Sequence, residues 1–548
     1  MTRFANIDRD IFRYQLVGVA EEMSKALRRS AYSSIIWDMY DYACALFTTD
    51  CEQLAQSETV TAQLGTMGTA LRDLVKSHPL STWKPGDVFV CNDPYRGCTH
   101  TPDITLFSPV FHDGELIALT STIAHHIDIG GRFSGTTVID NVEVFAEGLI
   151  FPPIRLIDGG DFNETVRDFI RANVRYPEVC LGDLRAQVAG CRTAERRLAE
   201  MAKRYGNERF RALAAATLDY AERYTRTLIQ EIPDGVYEAE ALTEDGVASE
   251  EFFRLRVRIK VDGDRINVDF PGTSEQRKCA MNCPWSSTVS MVTYAIKCLL
   301  TPDLAQNDGC NRPVTISAPE GSILNPERPA AVGARHYVQL AVADVVLRAL
   351  TPAVPSRGAA GSHVSFPTFR AGGVDDRPRA RTKQFVIMDI LGGGMGGSPQ
   401  ADGLNAVDTH GGNCALLSAE VMEMLSPIRV QRSALVPKSG GAGEFRGGLA
   451  IERVYEVLSE TALGAVRLQQ GSIETLPWGF AGGSSGAKAE AILNPETPSA
   501  QPLPLHAGRL AFSRGDTILV RSAGGAGFGP ESQRNPTSIE RDQVEGYV

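Results

Sequence analysis

The sequence predicts an α+β fold in which mixed β-sheets carry packed helices and the C-terminal region is rich in both strands and glycine. Amphipathic patterns with helical spacing cover residues 8–30 and 163–231. Alternation typical of strands covers residues 251–272, and two apolar runs flank Asp113-Gly114, a dipeptide typical of tight hairpins. Beyond residue 383, apolar runs alternate with the glycine-rich strings GGAGEFRGG, WGFAGGSSG and SAGGAGFG.

The chain has 548 residues, whereas a domain with one hydrophobic core typically has roughly 100–200 residues. The sequence is therefore too long for a single core. We predict an N-terminal region, residues 1–235, that contains a metal site and a helical layer. A mixed α/β middle region, residues 236–354, and a β-rich region, residues 355–548, follow. Residues 355–383 are rich in Gly, Pro and Arg and are expected to form a linker or long loop.

The amino-acid composition argues against several classes of protein. Lys and Arg number 55 against 66 Asp and Glu, and the net charge of −11 argues against a nucleic-acid binder. The start, MTRFANIDRD, lacks the apolar segment of a signal peptide, and no apolar run reaches the roughly 20 residues of a membrane span. The 11 cysteines form no CxxC pair, which indicates free thiols in a reducing compartment. We therefore expect a soluble, cytoplasmic protein.

The strongest chemical signal lies at the predicted hairpin. His100 and Asp103 precede its first strand, and His125 and His126 end its second strand. In an antiparallel hairpin, the numbers of two residues that lie directly opposite each other add up to a constant. With a two-residue loop at Asp113-Gly114 this sum is 227, and the side chain of His126 then lies on the same side of the sheet as that of Asp103. With a three- or five-residue loop the sum becomes 226 or 228, and His125 takes that side instead. The hairpin therefore brings His100 and Asp103 close to the two histidines. The strand register decides which of the two histidines points to the same side of the sheet as Asp103.

Imidazole and carboxylate together suit a borderline divalent metal such as Mn, Zn or Fe. The absence of thiolate argues against a structural zinc cage. A lone histidine would more often be an ordinary core or surface residue, but here four such groups converge on one hairpin end. His126 and Asp128 are additional candidates for orienting a ligand or moving a proton, because a ligating imidazole usually donates its other N–H to a partner.

Several motif-like strings do not carry their usual chemistry. GGGMGG at residues 392–397 matches GxGxxG after a strand, but Ser398-Pro399 follows where a dinucleotide site needs a helix. GGSSG at residues 482–486 matches GxSxG without the strand that a nucleophile elbow requires, so we expect an exposed loop. No GxxxxGK[ST] string is present, so this chain is not expected to supply a Walker-type ATP site. Cys279 and Cys283 have no second pair nearby and are expected to be buried thiols.

Over nearly its whole length the sequence resembles the hydantoinase B (N-methylhydantoinase B) family. Its relatives include the C-terminal half of ATP-dependent 5-oxoprolinase and the metal-bearing subunits of acetone and acetophenone carboxylases. The similar strings, in order, are CNDPYRGCTHTPDITLFSPVF, AHHIDIGG, AEGLIFPP, NCPWSSTVSMVTYAIKCLL, NRPVTISAPEGSILNPERPAAVGARH, SGGAGEFRGG and GGAGFG. These strings are long and unusual, so the resemblance is specific.

The resemblance implies a set of metal ligands: His100, Asp103, His125 and an acidic residue within SIIWDMYDYACALF. Asp41, followed by Tyr42, matches the Asp–aromatic pair of the family. Asp38 stands where relatives often have Glu, so it is the alternative, and Asp41 is favoured as the fourth ligand. The NDPY turn and Glu147-Gly148 also match the family and are expected to shape the pocket.

The resemblance further implies a hetero-oligomer with a hydantoinase A-type subunit that binds ATP, and chemistry that begins with phosphorylation of a carbonyl or amide oxygen. The leading hypothesis is the metal-containing subunit of an ATP-dependent hydrolase that opens a cyclic amide such as a hydantoin, 5-oxoproline or a lactam. The metal would lower the pKa of the attacking water. The alternatives are the metal-bearing subunit of an ATP-dependent ketone carboxylase and a non-catalytic scaffold for the ATP-binding subunit.

Overall fold

The computed structural model describes residues 3–133, 138–245, 252–378, 380 and 384–548. Its α-helices are α1 (Arg3–Ser30), α2 (Ser34–Trp37), α3 (Thr61–Ser77), α4 (Glu164–Asn173), α5 (Pro177–Tyr205), α6 (Asn207–Ile229), α7 (Trp285–Leu300), α8 (His336–Leu350), α9 (Ala419–Leu425) and α10 (Pro536–Val544). Its strands are β1 (Tyr42–Phe47), β2 (Gln53–Gln56), β3 (Val88–Cys91), β4 (Asp103–His112), β5 (Glu115–His125), β6 (Ile154–Asp158), β7 (Asp161–Phe162), β8 (Gly235–Glu244), β9 (Phe252–Asp262), β10 (Arg265–Asp269), β11 (Val314–Ser317), β12 (Thr368–Val374), β13 (Gln384–Ile390), β14 (Ile428–Leu435), β15 (Ile451–Val457), β16 (Thr461–Arg467), β17 (Glu490–Leu493), β18 (Gln501–Pro502), β19 (Leu510–Ser513) and β20 (Thr517–Arg521). The predicted α+β class is confirmed, whereas the division into three regions stays a prediction.

The N-terminal sheet is covered by helices on both faces. Its seven strands are antiparallel and follow the order β2-β1-β5-β4-β3-β6-β7. Successive side chains of a strand point to opposite faces. In β1, Tyr42, Cys44 and Leu46 pack with α1, whereas the alternate residues Ala43, Ala45 and Phe47 pack with α3. This strand is apolar throughout because both of its faces are buried.

The predicted Asp-Gly hairpin joins β4 to β5. The backbone φ angles of 50° at Asp113 and 78° at Gly114 are those of a two-residue turn with positive φ. Next to the turn, paired residue numbers sum to 227, but a bulge then leaves Ile117 without a cross-strand partner. Beyond the bulge the sum is 228, and Asp103 pairs with His125. The bulge, not a longer loop, therefore selects the histidine that faces Asp103.

The second sheet has the order β11-β10-β9-β8 and packs on α7 and α8. Alternate residues of β9 from Phe253 to Val261 are buried, and the residues between them are exposed. Helix α7 also lies tightly against α3. A Cβ added at Gly65 would be 2.3 Å from Oγ of Ser290, so the two helices approach at a glycine. This contact joins the first sheet to the helices of the second.

The C-terminal region contains two further sheets, β13-β12-β16-β19 and β14-β15-β20-β17-β18. They enclose one core in which the rings of Phe369 and Tyr455 stack at 4.0 Å. The expectation of a linker or loop over residues 355–383 was wrong in part, because Thr368–Val374 forms β12 inside the first of these sheets. Gly372 and Gly373 interrupt the side-chain alternation that would have revealed this strand. Residues 379 and 381–383 of that segment lie outside the described residues.

The glycine-rich strings pack against one another. A Cβ at Gly394 would lie 2.1 Å from both the carbonyl oxygen of Gly448 and the amide nitrogen of Gly525. Residues 398–418, all of them described, contain no helix, and the glycines of GGGMGG allow close backbone packing. All eleven cysteines are free thiols, and Cys279 and Cys283 are buried. Within the described ranges, no helix combines the length and the apolarity needed to cross a membrane.

Candidate metal centre

Three donor atoms converge at the open end of the β4–β5 hairpin. Nε2 of His100 lies 3.2 Å from Nδ1 of His125 and 3.1 Å from Oδ1 of Asp103. Nδ1 of His125 lies 2.9 Å from the same carboxylate oxygen. The three residues are at most 5% exposed. We call them the triad.

The geometry of the triad fits ligands around one divalent ion. With metal–ligand bonds of about 2.0–2.2 Å, neighbouring donors in an octahedral or tetrahedral shell lie about 2.8–3.6 Å apart. Among the described residues, the triad is the group of His, Cys, Asp or Glu side chains whose ligand atoms all lie within 4.8 Å of one another. Two imidazole nitrogens and one carboxylate oxygen are also a suitable donor set for Mn, Fe or Zn.

Other contacts orient two of these donors. Nδ1 of His100 lies 2.9 Å from the carbonyl oxygen of Gly333. A carbonyl only accepts, so Nδ1 carries the hydrogen and Nε2 presents its lone pair to the triad. Oδ2 of Asp103 accepts hydrogen bonds from Thr99 Oγ1 at 2.5 Å and from Arg335 Nη2 at 2.9 Å. These bonds turn Oδ1 of Asp103 toward the two histidines.

Asp41 and Asp38 lie in different surroundings. Oδ1 of Asp41 accepts a hydrogen bond from Nε2 of Gln63 at 2.8 Å, and Oδ2 lies 3.8 Å from Nδ1 of His125. The carboxylate of Asp38 instead accepts hydrogen bonds from the backbone N–H and the hydroxyl of Ser418, at the start of α9. Asp41 is therefore the acidic neighbour of the triad, while Asp38 holds a helix end.

The triad lines a cavity of about 60 Å³. This is room for a few water molecules or one small group of a ligand. The walls come from distant parts of the chain: Asp41, Val60, Ala62, Gln63, Arg335, His336, Gln339, Phe366, Thr368, Arg370, Met388, Ile390 and Cys414. The N-terminal sheet, helix α8 and the C-terminal sheet therefore all contribute to it.

Burial and Arg335 set the charges of the cavity. Burial, followed by the positive charge of Arg335, lowers the pKa of His100 to about 4. Burial acts to raise the pKa of Asp103, but His100, His125 and Arg335 together hold it well below its usual value. Burial raises the pKa of Asp41 to about 6, against the opposing effect of His125. At neutral pH Asp103 is thus an anion and His100 a neutral imidazole, the states that metal ligands require.

The structure does not bring His126 or Asp128 to this cavity. His126 follows His125 in the chain and points to the opposite face of the sheet, where Nε2 lies 3.1 Å from Oε1 of Gln187 on α5. The carboxylate of Asp128 accepts hydrogen bonds from Gly130 N and from the backbone and guanidinium of Arg175. These contacts support the segment after β5, and a part in proton transfer stays a prediction.

Sequence reasoning missed the contribution of Arg335, Gln339 and Arg370 to the cavity. Arg335 lies within the family-like string AAVGARH, which could have drawn attention to it. Arg370 lies in the segment that was expected to be a loop, so no local pattern pointed to it. Glu147 does not line the cavity. Its carboxylate accepts hydrogen bonds from the backbone N–H groups of Val332 and Gly333, and a part in shaping the pocket stays a prediction.

Two solved structures share this architecture. The nucleotide-free structure of acetone carboxylase has a TM-score of 0.90 at 20% identity, covering 99% of this chain and 78% of that one, a likeness of fold alone. The crystal structure of ATP-dependent caprolactamase from Pseudomonas jessenii has a TM-score of 0.89 at 27% identity, covering 99% and 94% of the two chains.

The sequence is also similar to curated proteins along its whole length. It is 32% identical to a putative D-/L-hydantoinase component from a Pseudomonas species, over 97% of this chain and 91% of that protein. It is 28% identical to 5-oxoprolinase 1 of Arabidopsis thaliana, over 95% of this chain but 41% of that protein. Residues 5–531 match the Hydantoinase B/oxoprolinase family, and the chain therefore belongs to that family.

Proposed function

We propose that this chain is the metal-containing subunit of an ATP-dependent hydrolase that opens cyclic amides such as hydantoins, 5-oxoproline or lactams, working with a hydantoinase A-type subunit that binds ATP. The observation that carries the proposal is the triangle of His100, Asp103 and His125 donor atoms inside a small cavity. Support comes from relatives named as a D-/L-hydantoinase component, 5-oxoprolinase and ATP-dependent caprolactamase.

In this proposal His100, Asp103 and His125 hold a divalent ion of Mn, Zn or Fe, and Asp41 is the fourth ligand. Such an ion, when bound, lowers the pKa of water and polarises a carbonyl oxygen. Arg335 keeps Asp103 ionised and turned toward the histidines through its hydrogen bond to Oδ2. Burial of these residues excludes bulk water and strengthens every charge interaction at the site.

The cavity walls offer apolar and polar surface to the part of a ring substrate that enters the cavity. Phe366, Met388 and Ile390 offer apolar surface, whereas Gln339 and Arg370 present hydrogen-bond donors beside the triad. Those donors can stabilise negative charge as it develops on the oxygen of an opening amide. ATP is assigned to the partner because GGGMGG packs against other glycine strings and no helix follows it within the described residues 398–418.

The test is reconstitution. The chain would be purified with its ATP-binding partner, and ATP-dependent ring opening would be followed for hydantoin, 5-oxoproline and a simple lactam. Metal content would be measured alongside for the wild type and for His100→Ala. The control is His112→Ala, at the far end of the same hairpin, where the imidazole contacts Asn207. We expect His100→Ala to assemble normally but to lose both bound metal and turnover, and His112→Ala to retain both.

Two outcomes would contradict the proposal. Product formation that depends on bicarbonate, with no ring opening, would make the chain part of a carboxylase. Full turnover by a folded His100→Ala variant would leave the chain as a scaffold for the ATP-binding subunit.

A further inference from the structure

Two arginines of the C-terminal sheet, the half-buried Arg370 and the buried Arg467, lie close to each other, and Arg370 lines the cavity. Thr368 of β12 pairs with Arg467 of β16, and Arg370 is two residues farther along β12. Cross-strand partners and residues two apart share one face of a sheet. Thr368, Arg370 and Arg467 therefore point to the same side, and Thr368 and Arg370 line the cavity beside the triad.

Among the described residues, Arg467 is a buried cation with no anion in ion-pair contact. It is 5% exposed, and its Nε and Nη1 have no hydrogen-bond partner in the part of the chain that the structure describes. Burial lowers the pKa of Arg467, although Tyr337 and the carboxylate of Asp140, which is not in ion-pair contact, act to raise it. Burial followed by the charge of Arg467 lowers the pKa of Arg370 to about 9. The two guanidinium groups thus repel each other. For the buried Arg467, which has no ion-pair partner among the described residues, this is costly to the fold unless an anion enters.

The neighbouring Tyr337 and His506 add a hydrogen-bond donor but no negative charge. Tyr337 of α8 is fully buried, and burial raises its pKa to about 12, although both arginines act to lower it. Its phenol is therefore neutral and able to donate. The ring of His506 packs on Tyr337 at 5.4 Å, and burial lowers the pKa of His506 to about 3, so this imidazole is also neutral.

We infer that Arg370 and Arg467, with Tyr337 beside them, form a subsite for an oxyanion of the substrate, adjacent to the metal triad. A planar guanidinium matches the two oxygens of a carboxylate or of a phosphoryl group. The subsite would therefore select ring substrates that carry one of these groups over uncharged ones. The inference rests on the proposed function for the reaction, but anion binding can be measured without any turnover.

The experiment uses the full-length protein after removal of metal by a chelator, so that anions cannot bind through an ion. Inorganic phosphate and, separately, acetate are titrated by calorimetry at constant ionic strength. The variants are Arg370→Met, Arg467→Met and the charge-retaining Arg467→Lys. The matched control is Arg429→Met, which removes an arginine that pairs with Glu456 on the surface of another sheet.

We expect wild type and Arg429→Met to bind at least one of the two anions with similar affinity. Arg370→Met and Arg467→Met should weaken that binding about tenfold or more, because each removes a positive charge of the subsite, and Arg467→Lys should recover part of it. Preference for phosphate would identify a phosphoryl group, and preference for acetate a carboxylate. Binding of neither anion by the wild type, or unchanged affinity in both Met variants, would overturn the inference.

The stability of the anion-free protein is a second measurement that tests the proposed subsite. Arg467→Met replaces a buried cation that has no ion-pair contact among the described residues with an apolar chain, so the anion-free variant should be at least as stable as the wild type. A large loss of stability would mean that Arg467 is satisfied within the fold, and the inference would fail. If ring opening fails in every reconstituted complex while Arg-dependent anion binding persists, the hydrolase proposal falls and the subsite stands.

Discussion

Arg335 and Asp103, separated by 232 residues in the sequence, form a buried ion pair with 2.9 Å between Nη2 and Oδ2. The pair attaches the residue before α8 to the first residue of β4, and so connects the second sheet's helix layer to the hairpin that carries the triad. A buried pair of this kind adds little net stability over apolar residues, but losing one partner is expensive.

The first prediction concerns this pair. Arg335→Met should lower the free energy of unfolding of the metal-free protein by about 3–5 kcal/mol, because Asp103 would keep a buried charge without its partner. Arg335→Met combined with Asp103→Asn should cost clearly less than the two single changes added together. Urea unfolding of the four proteins measures the coupling, and strictly additive costs would show that the two groups do not interact.

The second prediction separates Asp41 from Asp38. Asp41→Asn should weaken metal binding about tenfold or more, because it removes a carboxylate next to His125. Asp38→Asn should leave metal affinity unchanged and cost about 1 kcal/mol of stability, since Asp38 accepts hydrogen bonds from Ser418. Titration of both metal-free variants with Mn²⁺ or Zn²⁺ decides between them, and an effect of Asp38→Asn alone would reverse the assignment.

The third prediction concerns Glu147. Its carboxylate fixes the backbone of Val332 and Gly333, and the carbonyl of Gly333 in turn holds Nδ1 of His100. Glu147→Ala should therefore reduce metal affinity about 10–100-fold, the usual effect of losing a group that orients a ligand. Burial raises the pKa of Glu147 to about 8, so the uncharged Glu147→Gln should retain most of the affinity.

Glu143→Ala is the control for that experiment, since Glu143 is an exposed residue of the same segment. Equal losses of metal affinity in Glu147→Ala and Glu143→Ala would point to general disturbance of the segment. Unchanged affinity in Glu147→Ala would remove it from the support of His100.

The fourth prediction is a pH dependence of the metal-free protein. The pKa of His100 falls from 6.5 to about 4 on folding, so the unfolded chain takes up the proton first as the pH drops. The stabilisation of the folded state that comes from keeping His100 neutral is present above about pH 6.5 and is lost as the pH falls to about 4. The raised pKa of Asp41, about 6, acts in the opposite direction in an overlapping range, because there the folded state binds the proton first.

Comparison with His100→Gln isolates the histidine. The difference in free energy of unfolding between wild type and variant should shrink by roughly 1–3 kcal/mol between pH 6.5 and pH 4. Urea unfolding at a series of pH values measures it. A difference that stays constant over this range would mean that His100 titrates alike in the folded and unfolded chain.

Local patterns were enough to predict much of this protein. Spacing of apolar residues predicted α1, α5 and α6, and the Asp-Gly dipeptide predicted the β4–β5 hairpin. The hairpin alone brings His100 and Asp103 beside the end of β5, because chain connectivity leaves no other arrangement. These features depend on residues close in sequence, where backbone geometry and side-chain periodicity act directly.

Tertiary structure decided the rest. The bulge at Ile117 turned His125 rather than His126 toward Asp103, and a one-residue shift of register is invisible in the composition of the two strands. Contacts with Gln63 on α3 and with Ser418 before α9 distinguished Asp41 from Asp38. Arg335 and Arg370 reach the cavity from far along the chain. Their roles come from desolvation and charge pairing, which exist only once the distant segments have packed together.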